Sequence, residues 1–338
     1  MDVAASWMAG LPDRVSVMWP LLVSILVTVL CLFYLWEVAR SYQRRKKMDM
    51  TGLAPANGIE GFTGGGPTQS RGPPGIEAHV DGDCYDAFYC RAYDILVQPA
   101  ARAAMEVKIP LEFMESEAGG KRERATLRIA DLGCGTGNHV ELFQREGVGS
   151  VVGYDKSAAM IAEARRRYPD RTFVEGDATV ATMIPADSVD LATMYYFTIY
   201  MIPDRTTMLK NIYLWLAPGG IFVCHIVNKL KFDPVLEAAS PFVGFSIQKY
   251  ADDRITKSEV AFEEFDYVGD FQLHGSRAMW DEEFRFKDGR VRRHEQRVWM
   301  PNIDVMVKEI TDVGFKLLHH ADMTPIGYEY QYLFMFQK

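Results

Sequence analysis

Two patterns of hydrophobic and polar positions alternate between residues 127 and 228. Short apolar runs, typical of buried strands, occur in LRIADLG, SVVGYD, RTFVEGD, SVDLATMYYF and GIFVCHIVN. The stretches between them are amphipathic: in SAAMIAEARRRYP, Ser157 is a typical N-cap, and Met160, Ile161 and Ala164 share one helical face. The alternation predicts an α/β, Rossmann-like fold in which helices cover both faces of a mostly parallel sheet.

After the fifth apolar run, the pattern favours strands, most clearly over residues 242–300. A hairpin is predicted in EEFRFKDGRVRRHEQRVW, with KDG as its turn. The alternation in this hairpin suggests one solvated face that carries Arg290, Arg292, Arg293 and Arg297. A helix is predicted in NIDVMVKEITDVG, and FKLLHHAD and YEYQYLFMFQK predict a closing antiparallel strand pair. We therefore expect a β-rich insert followed by one helix and two strands.

The N-terminal part of the chain contains a long apolar stretch. After a short segment, residues 1–14, the 22 residues of segment 15–36 carry no formal charge. As a helix rising about 1.5 Å per residue, this segment would reach roughly 33 Å, which is enough to cross a bilayer. Trp19 and Trp36 stand near its two ends, where aromatic rings favour the membrane interface. We predict a single transmembrane helix.

A cleavable signal peptide is the competing interpretation of this stretch. Basic residues would then precede the apolar region, but here they follow it in the juxtamembrane segment 37–47, which contains RSYQRRKK. The positive-inside rule therefore predicts an N-terminus outside and a catalytic domain on the cytosolic side of the membrane.

A change in composition separates this anchor from the rest of the chain. Residues 48–80 contain eight glycines and four prolines, which predicts a flexible linker, and residues 81–338 have a globular composition. Near the start of this domain Tyr85, Tyr89 and Tyr93 are spaced four apart on one helical face. Such spacing is typical of a core rather than of a ligand site.

Charge and cysteine content exclude several classes of function. The net charge of −8 does not favour nucleic-acid binding, which usually needs a basic surface. The five cysteines form neither a CxxC pair nor a Cys/His cluster at zinc spacing. We therefore expect no structural metal and no disulfide framework.

A glycine-rich loop, ADLGCGTGN, follows the first predicted strand. Ligands of open parallel sheets bind beyond the carboxyl ends of the strands, and Gly133, Gly135 and Gly137 let a ligand approach the backbone there. The spacing G-x-G-x-G differs from the G-x-G-x-x-G of dinucleotide sites. Asp131 before the loop would repel a pyrophosphate but attract an ammonium group. This combination favours S-adenosylmethionine over a dinucleotide.

Two further acids follow the next two predicted strands. Asp155 ends the second strand, where a carboxylate can accept hydrogen bonds from ribose hydroxyls, and Asp177 follows the third strand. The Asp155 position is shared with NAD-binding proteins, so it does not distinguish the two cofactors. A single such aspartate would be typical of a cap or a turn, but three at successive strand ends indicate a binding site.

The motifs ADLGCGTGN, VVGYDKSAAMI, FVEGDA, DSVDLATMYYF and LAPGGIFV resemble those of class I S-adenosylmethionine-dependent methyltransferases over roughly residues 83–338. The resemblance implies a seven-stranded sheet with its last strand antiparallel and a substrate-covering role for the insert at 242–300. It also implies that Asp131 and the glycines hold the methionine portion, Asp155 the ribose, and Asp177 with Ala178 the adenine. The predicted cofactor-binding set is Asp131, Gly133, Cys134, Gly135, Gly137, Asp155, Lys156, Asp177, Ala178 and Tyr195.

Catalytic residues are harder to assign. By the resemblance, Tyr195 and Tyr196 fall near the methyl-transfer site, although both could simply fill the sheet. His225 in the fifth strand could face the crevice, but a lone histidine in a strand is typical of a core. Methyl transfer depends mainly on alignment and exclusion of water, and the sequence assigns no general base.

We therefore expect a membrane-anchored methyltransferase with a small-molecule or lipid-like acceptor. Two alternatives remain from the sequence: a cofactor-binding, membrane-tethered scaffold without turnover, and an NAD(P)-dependent oxidoreductase on a related sheet.

Overall fold

The described part of the chain falls into two compact units, residues 1–49 and 50–338. The computed structural model describes residues 23–25, 27–29, 76–97, 100–236, 239, 248 and 253–338. In the first unit the described residues are helical. Among the residues that the structure describes, none of the helices has both the length and the apolar character needed to cross a membrane. Segments 1–14 and 37–47, most of 15–36 and nearly all of the predicted linker lie outside the described residues.

The second unit contains two β-sheets and several helices. Its described strands are, in chain order, β1 (Ile76–Val80), β2 (Arg128–Leu132), β3 (Ser150–Asp155), β4 (Thr172–Glu175), β5 (Val189–Met194), β6 (Leu216–Val227), β7 (Lys257–Ala261), β8 (Phe265–His274), β9 (Arg277–Phe286), β10 (Val291–Trp299), β11 (Lys316–Asp322) and β12 (Gln331–Gln337). Its described α-helices are α1 (Ala87–Val97), α2 (Ala100–Glu115), α3 (Asn138–Arg145), α4 (Ala158–Arg167), α5 (Thr198–Met201), α6 (Arg205–Trp215) and α7 (Ile303–Asp312).

The main sheet has the strand order β11-β12-β6-β5-β2-β3-β4. Strands β2 to β6 are parallel to their neighbours, whereas β12 runs antiparallel to both β6 and β11. The prediction of a seven-stranded, mostly parallel sheet with an antiparallel last strand is confirmed. The chain passes from β2 to β3 and β4 on one side and to β5 and β6 on the other. The carboxyl ends of β2 and β5 therefore mark the point where ligands bind in such sheets.

Helices cover both faces of this sheet. Successive residues of its central strands point to opposite faces, so each strand contributes to two apolar cores. Ile129 and Leu191 belong to one apolar core together with residues of α2, α3 and α4. Ala130 and Ala192 belong to the other, with residues of α6 and α7. Ser157 caps α4 as predicted, since its hydroxyl accepts a hydrogen bond from the Met160 N–H at 3.1 Å.

The second sheet has the order β1-β10-β9-β8-β7. The predicted hairpin is confirmed, because β9 and β10 pair antiparallel on either side of the turn at Lys287–Arg290. The predicted linker boundary at residue 80 needs correction: β1 pairs in parallel with β10, and Ile76 lies opposite Val291. Strand β1 is only five residues long and follows RGPPG. Its alternation of apolar and polar residues is therefore too short to predict a strand from the sequence.

One arginine of the hairpin differs from the predicted pattern. Arg292 is buried rather than solvated, and its guanidinium lies 2.8 Å from the Asp86 carboxylate. This partner comes from the start of α1, which packs against the second sheet. The face of the sheet that α1 covers is therefore not solvated, and a charged side chain is tolerated there because it is paired.

Aromatic packing joins α1 to the second sheet. The Phe88 ring lies 5.1 Å from the Phe284 ring and 5.9 Å from the Phe265 ring, measured between centroids in edge-on geometry. Phe284 is fully buried. This contact fixes the position of α1, which carries the tyrosines described below.

We predict that Phe284→Ala destabilises the chain by about 3–5 kcal/mol, because it leaves a cavity between α1 and the second sheet. Val305→Ala on α7 is the control, since Val305 is 44% exposed. Urea unfolding of both variants measures the difference. A loss below about 1 kcal/mol for Phe284→Ala would contradict this packing.

Candidate active site

A cavity of about 640 Å³ lies beyond the carboxyl ends of β2, β3 and β5. Residues that follow successive strands of the main sheet form one wall, and α1, the preceding turn and β10 form the other. Of the predicted site residues, those that line this cavity are Gly133, Gly135, Asp155, Lys156, Asp177, Ala178 and Tyr196. The structure therefore brings together the residues predicted after β2, β3, β4 and β5.

The glycine-rich loop takes a conformation that favours glycine. Gly133 and Gly135 have φ angles of +74° and +53°. The Gly135 N–H donates a hydrogen bond of 2.9 Å to the Asp155 carboxylate, and the Gly133 N–H donates one of 2.7 Å to the Tyr154 carbonyl. Among described atoms, a Cβ on Gly135 would approach only the Tyr93 ring, at 3.9 Å, so this glycine presents bare backbone to the cavity.

The two acids that follow β3 and β4 differ in their surroundings. Burial raises the pKa of Asp155, whose carboxylate also accepts a hydrogen bond of 2.8 Å from the Ser157 N–H. Asp177 is more exposed and pairs with Lys156 at 2.8 Å. The hydrogen bond from Lys156 lowers the pKa of Asp177 to about 2. Asp177 is therefore a firmly ionised acceptor, whereas Asp155 is held by backbone N–H groups.

Asp131 lies beneath the loop rather than in the cavity wall. It is buried, and its Oδ1 accepts a hydrogen bond of 2.8 Å from the Thr193 hydroxyl. Its Oδ2 has no hydrogen-bond partner among the described residues. Burial raises the pKa of this carboxyl. A buried acceptor without a donor fits a ligand that brings an ammonium or N–H group to the loop, as the methionine end of S-adenosylmethionine would.

Besides Asp131, four predicted site residues lie outside the described cavity wall, and they are Cys134, Gly137, Tyr195 and His225. The Cys134 side chain is buried, and its thiol is 3.9 Å from the Gly135 carbonyl. Gly137 caps α3, and a Cβ on it would lie 2.6 Å from the Phe173 ring. Gly137 therefore allows α3 and β4 to pack closely instead of approaching a ligand.

Tyr195 and His225 are the other two predicted site residues that lie outside the cavity wall. The Tyr195 ring stacks on His139 at 4.3 Å, and its hydroxyl donates a hydrogen bond of 2.7 Å to the Glu106 carbonyl. His225 is fully buried in β6, where burial and the nearby Arg102 lower its pKa to about 3. Both side chains therefore belong to the protein interior, and Tyr196 is the candidate that faces the cavity.

Sequence reasoning missed the buried ion pair that supports Tyr196. The Arg102 guanidinium lies 4.1 Å from the centroid of the Tyr196 ring and 2.8 Å from the Glu106 carboxylate. Burial alone would raise the pKa of Glu106, but Arg102 and a hydrogen bond from His139 outweigh it and lower the pKa to about 2. The only signal was two charges spaced i, i+4 in the otherwise apolar stretch AARAAMEV.

Sequence reasoning also missed most of the second wall. Tyr85 and Tyr93, interpreted as core residues, line the cavity, and Tyr89 alone of the three is fully buried. Gln296 of β10 and Phe197 after β5 line it as well. The four-residue spacing of the tyrosines was the available signal, and it indicated their common face correctly.

Comparisons with known proteins agree with this geometry. Residues 129–220 match the family model of a methyltransferase domain. A trans-aconitate 2-methyltransferase from Variovorax paradoxus is 34% identical over 145 residues, which are 43% of this chain and 50% of that protein. One from Afipia carboxidovorans is 36% identical over 105 residues, which are 30% of this chain and 40% of that protein. The chain thus spans half or less of the length of these relatives.

Solved structures show the same fold. An S-adenosylmethionine-dependent methyltransferase from Clostridium acetobutylicum aligns with a TM-score of 0.53 at 16% identity, over 74% of this chain and 97% of that one. The sugar N-methyltransferase KedS8 from a Streptoalloteichus species aligns with a TM-score of 0.52 at 20% identity, over 82% and 99%. Residues 129–220 are therefore similar to a methyltransferase domain, and the chain shares the fold of S-adenosylmethionine-dependent methyltransferases, as the sequence motifs predicted.

We predict that Gly137→Ala destabilises the fold more than Gly147→Ala. Both glycines have left-handed φ angles, +87° and +82°, so each substitution carries a backbone cost of about 1–2 kcal/mol. Only at Gly137 would the new methyl group clash, at 2.6 Å from Phe173, which adds about 1–3 kcal/mol. Chemical denaturation measures both values, and equal losses would show that Gly137 has no packing role.

Proposed function

We propose that the chain transfers a methyl group from S-adenosylmethionine to a small-molecule acceptor bound in this cavity. One observation carries the proposal: the bare backbone at Gly133 and Gly135 and the carboxylates Asp155 and Asp177 converge on a single cavity. Its opposite wall, which includes Tyr85 and other aromatic side chains, leaves room for a second molecule. The methyltransferase domain match supports the same activity.

In this proposal different residues of the chain bind different parts of the cofactor. Asp131 Oδ2 accepts from the ammonium group and the glycine loop holds the methionine portion. Asp155 accepts from the ribose hydroxyls, and Asp177 with Ala178 holds the adenine. When bound, the cofactor supplies an electrophilic methyl group on a positively charged sulfur.

The protein's contribution to the reaction is alignment and exclusion of water. Faces of tyrosine rings attract a sulfonium by cation–π interaction, and Tyr93 and Tyr196 line the cavity beside the glycine loop. Burial raises the pKa of Tyr93 well above its usual value, so the ring keeps its proton. We assign Tyr93 and Tyr196 to shaping the site and not to removing a proton.

The charges of the described wall favour a neutral or cationic acceptor. Four carboxylates line the cavity, and they belong to Asp81, Asp83, Asp155 and Asp177. The two cations in the described wall are both paired: Lys156 with Asp177 at 2.8 Å, and Arg297 with Asp81 at 3.0 Å. A triply anionic acceptor such as trans-aconitate would meet repulsion there, so we propose that the acceptor differs from that of the relatives.

We predict that Gly135→Val abolishes cofactor binding, because its side chain would enter the cavity from the loop. Gly147→Val is the matched control: it also stands at a positive φ, but no described atom lies within 4 Å of its would-be Cβ. Calorimetric titration with S-adenosylhomocysteine measures binding to both folded variants.

Transfer of a labelled methyl group into a cell extract then tests turnover. Labelled product is expected with the wild-type chain and the control but not with Gly135→Val. Unchanged affinity in Gly135→Val would show that the loop is misassigned, and binding without any labelled product would favour the non-catalytic scaffold.

We also propose that segment 15–36 anchors the chain in a membrane, with the catalytic domain on the cytosolic side. The support comes from the sequence alone: an uncharged stretch of 22 residues followed by the basic segment 37–47. Anchoring would raise the local concentration of a lipid-like acceptor at the membrane surface.

We predict that deletion of residues 15–36 releases the chain from carbonate-washed membranes. A deletion of equal length, residues 48–69, controls for shortening and is expected to leave the chain bound. Recovery of the full-length chain in the soluble fraction would contradict the anchor.

A further inference from the structure

A buried polar cluster connects the second sheet to the cavity. At its centre is Glu282 of β9, which is 5% exposed and does not line the cavity. Its Oε1 accepts hydrogen bonds from the hydroxyls of Tyr267 at 2.8 Å and Tyr89 at 3.0 Å. Its Oε2 lies 2.8 Å from Gln296 Nε2 and 3.3 Å from His294 Nδ1.

The Glu282 carboxylate fixes the orientation of the Gln296 amide. A carboxylate only accepts hydrogen bonds, so the amide group that faces it must be the NH2 group. The carbonyl oxygen of Gln296 must then point the other way. It faces the Tyr85 hydroxyl at 2.8 Å, and Tyr85 lies in the cavity wall.

The orientation of the amide in turn decides what Tyr85 presents to a ligand. Its single hydroxyl hydrogen is donated to the Gln296 carbonyl, so the lone pairs of the oxygen remain for a ligand in the cavity. Burial raises the pKa of Tyr85 well above its usual value, and the hydroxyl therefore keeps this hydrogen.

Tyr85 lies between the two halves of the cavity. Its backbone carbonyl accepts a hydrogen bond of 2.8 Å from the Ser157 hydroxyl, two residues after Asp155. Its side-chain hydroxyl lies 3.3 Å from the sulfur of Met201 in α5, which also lines the cavity. Tyr85 therefore reaches from the residues after β3 to those after β5, and in the proposed function we place its hydroxyl where cofactor and acceptor meet.

We propose that Glu282 is a positioning residue which, through Gln296, makes the Tyr85 hydroxyl a hydrogen-bond acceptor and thereby selects methyl acceptors that present an N–H or O–H group. This inference rests on the proposed function. In the transfer, a lone pair of the acceptor nitrogen or oxygen forms the bond to the methyl carbon. The carbon–sulfur bond breaks with its electron pair on sulfur, and the methylated product loses the N–H or O–H proton to water once it leaves the cavity.

Two cofactor analogues test the proposal without knowledge of the acceptor. S-adenosylhomocysteine lacks the methyl group, whereas sinefungin carries an amine on carbon in place of the methyl-bearing sulfur. The amine of sinefungin therefore offers N–H donors at the position of transfer. We expect Tyr85→Phe to lower the affinity for sinefungin about tenfold relative to S-adenosylhomocysteine, the size expected for one hydrogen bond to a charged group.

Glu282→Gln separates positioning from direct contact. The new amide has one acceptor oxygen in place of two, so residue 282 no longer holds the Gln296 amide in a single orientation. A Gln296 amide that reverses donates to Tyr85 and frees the tyrosine hydrogen for the cavity. We expect this variant to lower the preference for sinefungin, although residue 282 does not line the cavity.

Tyr267→Phe is the matched control, because it removes one hydrogen bond to Glu282 without altering the side that faces Gln296. It is expected to keep the wild-type ratio of the two affinities in calorimetric titrations. An unchanged ratio in both Tyr85→Phe and Glu282→Gln, with S-adenosylhomocysteine still bound, would overturn this inference alone. Failure of the wild-type chain to bind S-adenosylhomocysteine would overturn the proposed function and this inference together.

Discussion

The hydrogen bond from the Gly135 N–H to the Asp155 carboxylate, 2.9 Å long, holds the turn after β2 against the end of β3. The Gly133 and Cys134 N–H groups reinforce it, because both donate to the Tyr154 carbonyl. These contacts draw the backbone across the strand ends, and the left-handed φ angles of the glycines make that path accessible. The bare cavity floor and the placement of Asp155 beside it both follow from this constraint.

The two sheets contribute different halves of the site. The main sheet supplies the glycine loop and the acids Asp155 and Asp177, and the second sheet with α1 supplies the opposite wall, against which we propose that the acceptor binds. In both walls a buried charged residue supports a polar side chain: Glu282 contacts Gln296, and Arg102 contacts Tyr196. The family match covers residues 129–220, so the second sheet lies outside it, which supports the proposal that the acceptor differs from that of the relatives.

The sequence predicted the main sheet and the meeting of Asp155 and Asp177 at its strand ends, because local patterns determine both. Strand ends are marked by polar residues after apolar runs, which was sufficient to place Asp155 and Asp177. Tyr195 and Tyr196 show the limit: Tyr196 has a φ of +57°, so simple strand alternation does not decide which of the two rings faces the cavity. Arg292 was predicted to be solvated because its partner Asp86 lies far away in the chain, in an element that only the tertiary structure brings close.

The central claim is that the turn after β2 holds a sulfonium nucleoside rather than a dinucleotide. Separate calorimetric titrations of the chain with S-adenosylmethionine and with NADH test it most directly. We expect saturable binding of S-adenosylmethionine at one site per chain and no heat of binding from NADH, because Asp131 and the G-x-G-x-G spacing disfavour a pyrophosphate. Tight binding of NADH without binding of S-adenosylmethionine would contradict the account.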